Sequence, residues 1–118
     1  MEVVGRRGGT LPAPPRIVFD ALAEPHRPNT RAWLELRGSE VEPTVVETNP
    51  PTRLVWTAPW PDRPEDRIEI LIRAAPGGES HVEWVLWSVD GTPPDSRKRS
   101  FQRLQEMIQR DLRLSFGQ

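Results

Sequence analysis

Apolar and polar residues alternate with a period of two through the middle of the chain and with a helical period toward both ends. The clearest stretch is DRIEILIRA, residues 66–74, with Ile68, Ile70 and Ile72 on one face and Arg67, Glu69 and Arg73 on the other. SHVEWVLWSV, residues 80–89, sets Val82, Trp84 and Leu86 against His81, Glu83, Val85 and Trp87. TRLVWT puts Leu54 and Trp56 on one face, and RAWLELR alternates Leu34 and Leu36 with Trp33, Glu35 and Arg37. EVEPTVVET reads as a strand that Pro43 restricts to an edge or a bulge. Residues 2–10, rich in glycine and arginine, promise a weak edge strand at best. Gly38-Ser39 and Gly77-Gly78 supply turns. Strands joined by such short turns predict an antiparallel meander.

Helical spacing appears first in LPAPPRIVFDALAEP, where Ile17, Val18, Ala21 and Leu22 form a narrow stripe. Pro14 and Pro15 suit a first turn, and Pro25 stops the helix after about three turns. The second helix is longer. Thr92-Pro93-Pro94-Asp95 has capping-box spacing with proline at the first helical position, and the helix runs to Phe116, with Gly117 as its stop. Phe101, Leu104, Ile108 and Leu112 make its stripe, widened by Met107, with Arg97, Asp111 and Ser115 on or beside it. A meander with one apolar face needs a cover, and this helix is the obvious one. The expected architecture is α+β: a curved antiparallel sheet wrapped around a long C-terminal helix, with a short helix near the N-terminus. Residues 1–118 are expected to make one domain.

NPPTRLVWTAPWPDRP has two readings, because Pro61 and Pro64 (like Pro12 and Pro15) have the spacing of a polyproline II ligand. Leu54 and Trp56 belong to a sheet face, so the prolines read better as rigid connections on either side of a strand. Composition agrees with a folded domain. Fourteen prolines and a mean hydropathy of −0.60 lean toward disorder, but five Trp, three Phe and a net charge of only −1 oppose it. The charge balance also argues against nucleic acid as a partner. Absence of cysteine removes disulfides and thiolate metal sites. No run is long enough to span a membrane, and MEVVGRRGGT lacks a signal-peptide core, so a soluble cytoplasmic protein is expected.

Three segments, in order, resemble the START-like, Bet v 1-like superfamily (SRPBCC), in particular its small bacterial members of the polyketide cyclase or Hsp90 ATPase activator-like kind. They are LPAPPRIVFDALAEP, VVETNPPTRLVWT, and PGGESHVEWVLW followed by the long helix. The resemblance implies a helix-grip fold with an apolar pocket between sheet and helix. It departs from the family in having only HRPNT between the first helix and RAWLEL, which implies a reduced lid, and in Ser80 where threonine is commoner.

Candidate site residues follow from the strand faces and the helix stripe. Leu54, Trp56, Ile70, Trp84, Leu86, Phe101, Leu104 and Ile108 are candidates to line a pocket for a small hydrophobic molecule; equally they read as plain core. Asp111 is a candidate polar group there, as general acid or base, or else a carboxylate at the stripe's edge meeting an arginine. Arg97 could meet a ligand head group at the pocket mouth, or be solvated. Trp33, Trp60 and Trp87 fall on opposite faces or in loops and could mark a homodimer surface. His81 and Glu83 share a strand face but lack a third ligand, and His26 stands in a loop, so no metal is assigned. No P-loop, dinucleotide, G-x-S-x-G or H-E-x-x-H pattern occurs, and no cofactor is expected. The leading expectation is therefore a small apolar or aromatic ligand-binding domain. The alternatives are a cyclase, dehydratase or hydrolase using a polar group in the same cavity, and a ligand-free homodimeric or co-chaperone-like interaction protein.

Overall fold

The computed structural model describes residues 1–25 and 33–116. The expectations for His26, HRPNT and Gly117 lie outside them. Five strands form one antiparallel sheet: β1 (Glu2–Leu11), β2 (Val45–Asn49), β3 (Arg53–Thr57), β4 (Arg67–Ala75) and β5 (Glu79–Ser88), in the spatial order β1-β5-β4-β3-β2. The last four follow a simple meander, and β1 returns to pair with β5 over almost its whole length. Residues expected to share a face do so. Ile68, Ile70, Ile72, Val82, Trp84, Leu86, Leu54 and Trp56 are all buried in one apolar cluster on the inner side.

Three expectations change. Residues 2–10 are no weak strand: β1 is ten residues long and forms one edge of the sheet. Its glycines are there for space, as the packing below makes plain. RAWLELR is not a strand in the part described, Trp33–Arg37. Trp33 and Leu34 are buried all the same, because this segment runs under helix α1 and is pinned by side chains rather than by a ladder. EVEPTVVET shortens to β2, an edge strand whose register shifts between Val45 and Glu47; Pro43 precedes it. A cis peptide joins Pro50 to Pro51 in the turn from β2 to β3.

Helix α1 (Pro15–Ala23) begins with Pro15 at its first position, as its sequence suggests. Its buried face is Val18, Phe19 and Leu22, whereas Ile17 is half exposed. The stripe is thus rotated by one residue from the expected one. The C-terminal helix is unbroken from α2 (Pro94–Gln105) through a π-helical stretch, Glu106–Leu112, into α3 (Arg113–Ser115). Its cap is Pro93 and no side chain bonds to the first turn. Thr92 does not act as a capping residue: its hydroxyl donates to the Val89 carbonyl at 2.7 Å. Leu104, Met107, Ile108 and Leu112 are fully buried against the sheet.

The helix crosses β1 at very close range. A Cβ on Gly5 would lie 2.4 Å from Phe101 Cδ1, and one on Gly9 would lie 1.7 Å from Gln109 Nε2. Between them, Arg7 Nη1 donates to Gln105 Oε1 at 3.1 Å. Phe101, Gln105 and Gln109 are four residues apart, so one ridge of the helix rides along β1. At Gly5 the ring of Phe101 leaves no room for a side chain, whereas at Gly9 the neighbour is the movable amide tip of Gln109.

Candidate ligand-binding site

The strand residues expected to line a pocket fall on two neighbouring rungs. Leu54 is in register with Ile70 and Ile70 with Trp84; Trp56 is in register with Ile68 and Ile68 with Leu86. Leu104 and Ile108 belong to the same cluster from the helix side. All seven of the strand and helix candidates Leu54, Trp56, Ile70, Trp84, Leu86, Leu104 and Ile108 have no water-accessible surface. They pack against one another, so no open space borders these particular side chains in this state. Phe101 is only half-buried and lies over Gly5.

The tryptophans divide by what their indole N–H groups meet. Trp56 Nε1 donates to the Leu22 carbonyl at 2.9 Å, and Trp33 Nε1 to the Ala21 carbonyl at 2.8 Å. These two bonds use carbonyls at the end of α1, which a helix leaves without partners. The two rings stack with centroids 6.0 Å apart and planes 16° apart. Trp60 Nε1 donates to Asp66 Oδ2 at 2.8 Å. Trp33 and Trp60 are buried, which overturns their reading as exposed surface; Trp87 is half-buried on the outer face. Trp84 differs from all of these. It is fully buried, and its Nε1 has no hydrogen-bond partner. An unpaired buried donor is uncommon and costs about 1–3 kcal/mol.

Around the C-terminal helix, charged groups gather at the edge of the apolar cluster, where Arg103 Nη1 and Asp111 Oδ2 are themselves buried without a hydrogen-bond partner. Arg103 donates from Nε to Glu40 Oε2 at 2.8 Å and from Nη2 to Glu40 Oε1 at 3.0 Å, and Nη2 also reaches the Glu35 carbonyl at 2.7 Å. This two-pronged pair clamps the segment after Trp33 onto the C-terminal helix. Burial opposes the charge on Glu40, but the bonds from Arg103 and from the Arg37 backbone outweigh it, and its carboxyl is held below the ordinary value. The bond to Glu40 is also the main cause that raises Arg103. Asp111 lies beside this clamp, 3.8 Å from Arg103 Nη1 and accepting from Arg110 Nε at 3.1 Å. Arg97 donates to the Thr92 carbonyl at 2.6 Å and to the Glu2 carboxylate, which ties the start of the helix to β1.

On the outer side of the sheet, His81 and Glu83 line an open groove of about 520 Å³ with Asn49, Thr52, Arg53, Leu71, Ile72 and Arg73. Glu83 is already paired with Arg6. Among the described residues, no three His, Cys, Asp or Glu side chains stand where they could share a metal. Sequence reasoning missed Glu40, the stacked Trp33 and Asp66. Only Asp66 carried a signal: it is in phase with Ile68, Ile70 and Ile72, so the alternation of DRIEILIRA already placed it inward.

An antiparallel sheet gripping a long C-terminal helix, with a short helix after the first strand, is the START-like, Bet v 1-like helix-grip fold. Three similar solved structures each cover 95% or more of the chain. The Aha1 dimer from Colwellia psychrerythraea matches with a TM-score of 0.62 at 14% identity, over 100% of this chain and 99% of that one. Ara h 8.0201 matches at 0.53 and 15% identity over 97% of each chain. CalU16 from Micromonospora echinospora matches at 0.50 and 18% identity, over 95% of this chain and 80% of its own. No family model matches the sequence. No curated protein matches it either.

Proposed function

We propose that this chain is a binding domain for a small, largely apolar or aromatic molecule that carries a hydrogen-bond acceptor. The occupant lies between the sheet and the C-terminal helix, against Leu54, Trp56, Ile70, Trp84, Leu86, Phe101, Leu104 and Ile108, with Asp111 at the rim. The observation that carries this reading is the buried Trp84 indole N–H without a partner, in an apolar interior where Trp33 and Trp56 are both satisfied. A ligand carbonyl or ether oxygen would supply the missing acceptor and give orientation inside a site that otherwise offers only contact area.

Because the lining is closed, binding requires displacement of a side chain. Met107 is suited to move, being unbranched, fully buried and set in the π-helical stretch. π-helical turns are rare and recur at functional sites. A chemical step has less support: of the two oxygens of Asp111, the carboxylate proposed for it, Oδ1 accepts from Arg110 and Oδ2, buried without a hydrogen bond, is held in an ion pair 3.8 Å from Arg103.

A matched pair of probes tests this. Naphthalene and 1-acetylnaphthalene share a ring system, and only the second has a carbonyl acceptor. The ketone is expected to bind about tenfold tighter, the worth of one hydrogen bond to an otherwise unpaired donor. Trp84→Phe is expected to abolish that preference. Failure of both probes to bind, or a preference that survives in Trp84→Phe, would refute the reading.

Assembly is a second reading, favoured by exposed Met1, Val3 and Val89 near Trp87, which is in register with Val3. The similar Aha1 fold is a dimer. Native mass spectrometry of freshly purified protein reports both a dimer mass and a retained ligand.

A further inference from the structure

At the far end of the sheet from the β4–β5 turn lies a second concave site, about 460 Å³, lined by Arg63, Glu65, Asp66, Val89, Thr92 and Pro93. Asp66 is 1% exposed, which is unusual for a carboxylate. One oxygen is well satisfied: Oδ2 accepts from Trp60 Nε1 at 2.8 Å and from Arg63 Nε at 3.1 Å. The other, Oδ1, is buried and has no partner. Arg67 is in register with Trp87, so one more residue along each strand sets Ser88 across from Asp66, on the side of Ile68 and Leu86. Ser88 Oγ is also buried without a partner. Two buried polar groups, one just before β4 and one at the end of β5, thus lack partners at the same end of the interior.

The unpartnered carboxylate oxygen makes the open capacity of this cleft chiefly an acceptor's. The donors of Trp60 and Arg63 Nε are spent on Asp66 Oδ2, Arg63 Nη1 and Nη2 turn to Asp62 and to the Ser96 carbonyl at 3.5 Å each, and the Thr92 hydroxyl proton goes to Val89. Asp66 Oδ1 can only accept while ionised, and the oxygens of Ser88 and Thr92 retain lone pairs. Glu65 adds a second, exposed carboxylate, so the lining holds two acids to one arginine. Arg63 is itself held over the Trp60 ring, 5.6 Å from its centroid, and bonded to Asp66. A group with donors only and a positive charge matches this set; an anion meets two carboxylates.

We infer that this cleft is a binding site for a primary ammonium group on a small organic molecule, with Asp66 Oδ1 in its wall as the acceptor and Ser88 Oγ, behind the wall, joining it when the entering group uncovers these buried oxygens. The aliphatic surfaces of Val89 and Pro93 take the adjoining carbon skeleton. The site is separate from the interior one against Trp84, and neither inference depends on the other.

The test uses the full chain with ¹⁵N-labelled tryptophan, the Trp60 indole signal being assigned by Trp60→Phe. Benzylammonium, benzyl alcohol and benzoate are titrated in turn, since they share a ring and differ in head group. Benzylammonium is expected to move the Trp60 signal saturably, less strongly at higher salt, with benzyl alcohol weaker and benzoate inert. Ser88→Ala is expected to weaken benzylammonium about fivefold and Asp66→Asn about tenfold or more. Ser88→Ala should leave the melting temperature unchanged or raised, because the deleted hydroxyl has no partner; this keeps the test valid if Asp66→Asn folds poorly. An unmoved Trp60 signal, benzyl alcohol binding as tightly as benzylammonium, or unchanged affinity in Ser88→Ala would overturn the inference. A shift confined to the Trp84 signal would overturn it too, while supporting the interior site.

Discussion

Replacing Gly5 with alanine tests how closely the C-terminal helix rides on β1. The added methyl would lie 2.4 Å from Phe101 Cδ1 and 2.6 Å from Cγ and Cε1. Carbon atoms rest at about 3.5–4.0 Å, so the ring must retreat by about 1 Å or the strand must shift. Those atoms are at the root and flank of the ring, where no free tip can swing aside. Overpacking of this kind costs about 1–3 kcal/mol. Gly5 is not in the left-handed region, unlike Gly77 and Gly78, so alanine suits its backbone and returns about 0.4–1 kcal/mol by restricting the unfolded chain. The expected net loss is about 1–2 kcal/mol, a drop of several degrees in melting temperature. In a Phe101→Ala background the clash has gone, and Gly5→Ala should become neutral or stabilising. Urea titration of the four proteins in this cycle measures the coupling directly, expected at about 1–3 kcal/mol. Gly9→Ala is the control. Its methyl would strike the amide tip of Gln109, which can rotate away, so the loss should stay within about 0.5 kcal/mol. Equal destabilisation by Gly5→Ala in both backgrounds would refute the close-approach explanation of the glycines.

Other expected outcomes follow from the same contacts. Trp84→Ala should cost about 3–5 kcal/mol by urea unfolding, the range for emptying a buried aromatic site; Trp84→Phe should cost far less, because it keeps most of the ring and deletes an unpaired donor. Trp33→Phe removes the bond to Ala21 and should cost about 1 kcal/mol, with faster hydrogen exchange in α1 as its local signature. The Glu40 carboxyl is depressed in the folded state relative to its ordinary 4.5. Its contribution is therefore complete above that value and is lost as pH falls through the lower folded value. The stability difference between the parent protein and Glu40→Gln, measured by urea midpoint, should shrink below about pH 4.5.

The sequence was most legible where one face of a strand meets the core and the other meets water. In β4 and β5 the alternation alone located Ile68, Ile70, Val82, Trp84 and Leu86 on the inner side, and their neighbours outside. It failed where burial came from tertiary contacts. RAWLELR alternates like a strand, but Trp33 is held by a carbonyl of α1 and a stack on Trp56, neither of which has a sequence period. β1 was undervalued because glycine lowers strand propensity; its reason for being there, the approach of Phe101 and Gln109, is 96 and 100 residues away in the chain. Val85 faces outward as expected and is nonetheless fully buried, flanked in register by Arg6 and Glu69, because long charged side chains can cover apolar surface with their stems. At the candidate site, the apolar wall could be read from strand faces. The unpaired Trp84 donor could not, since it is defined by what fails to stand opposite it.

The pairing of β1 with β5 also sets a timetable. β1 precedes the other four strands in the sequence, yet its ladder partner ends at Ser88 and the helix that packs on its glycines begins only at Pro94. Until β5 is made the strand has neither neighbour. The sheet can assemble from β2 to β5 as each strand appears, whereas β1 must wait for β5 to be made. Contacts of such long sequence separation slow folding. A chain halted before β5 therefore leaves β1 as an unpaired, glycine-rich segment, and proteolysis of such stalled chains should begin there.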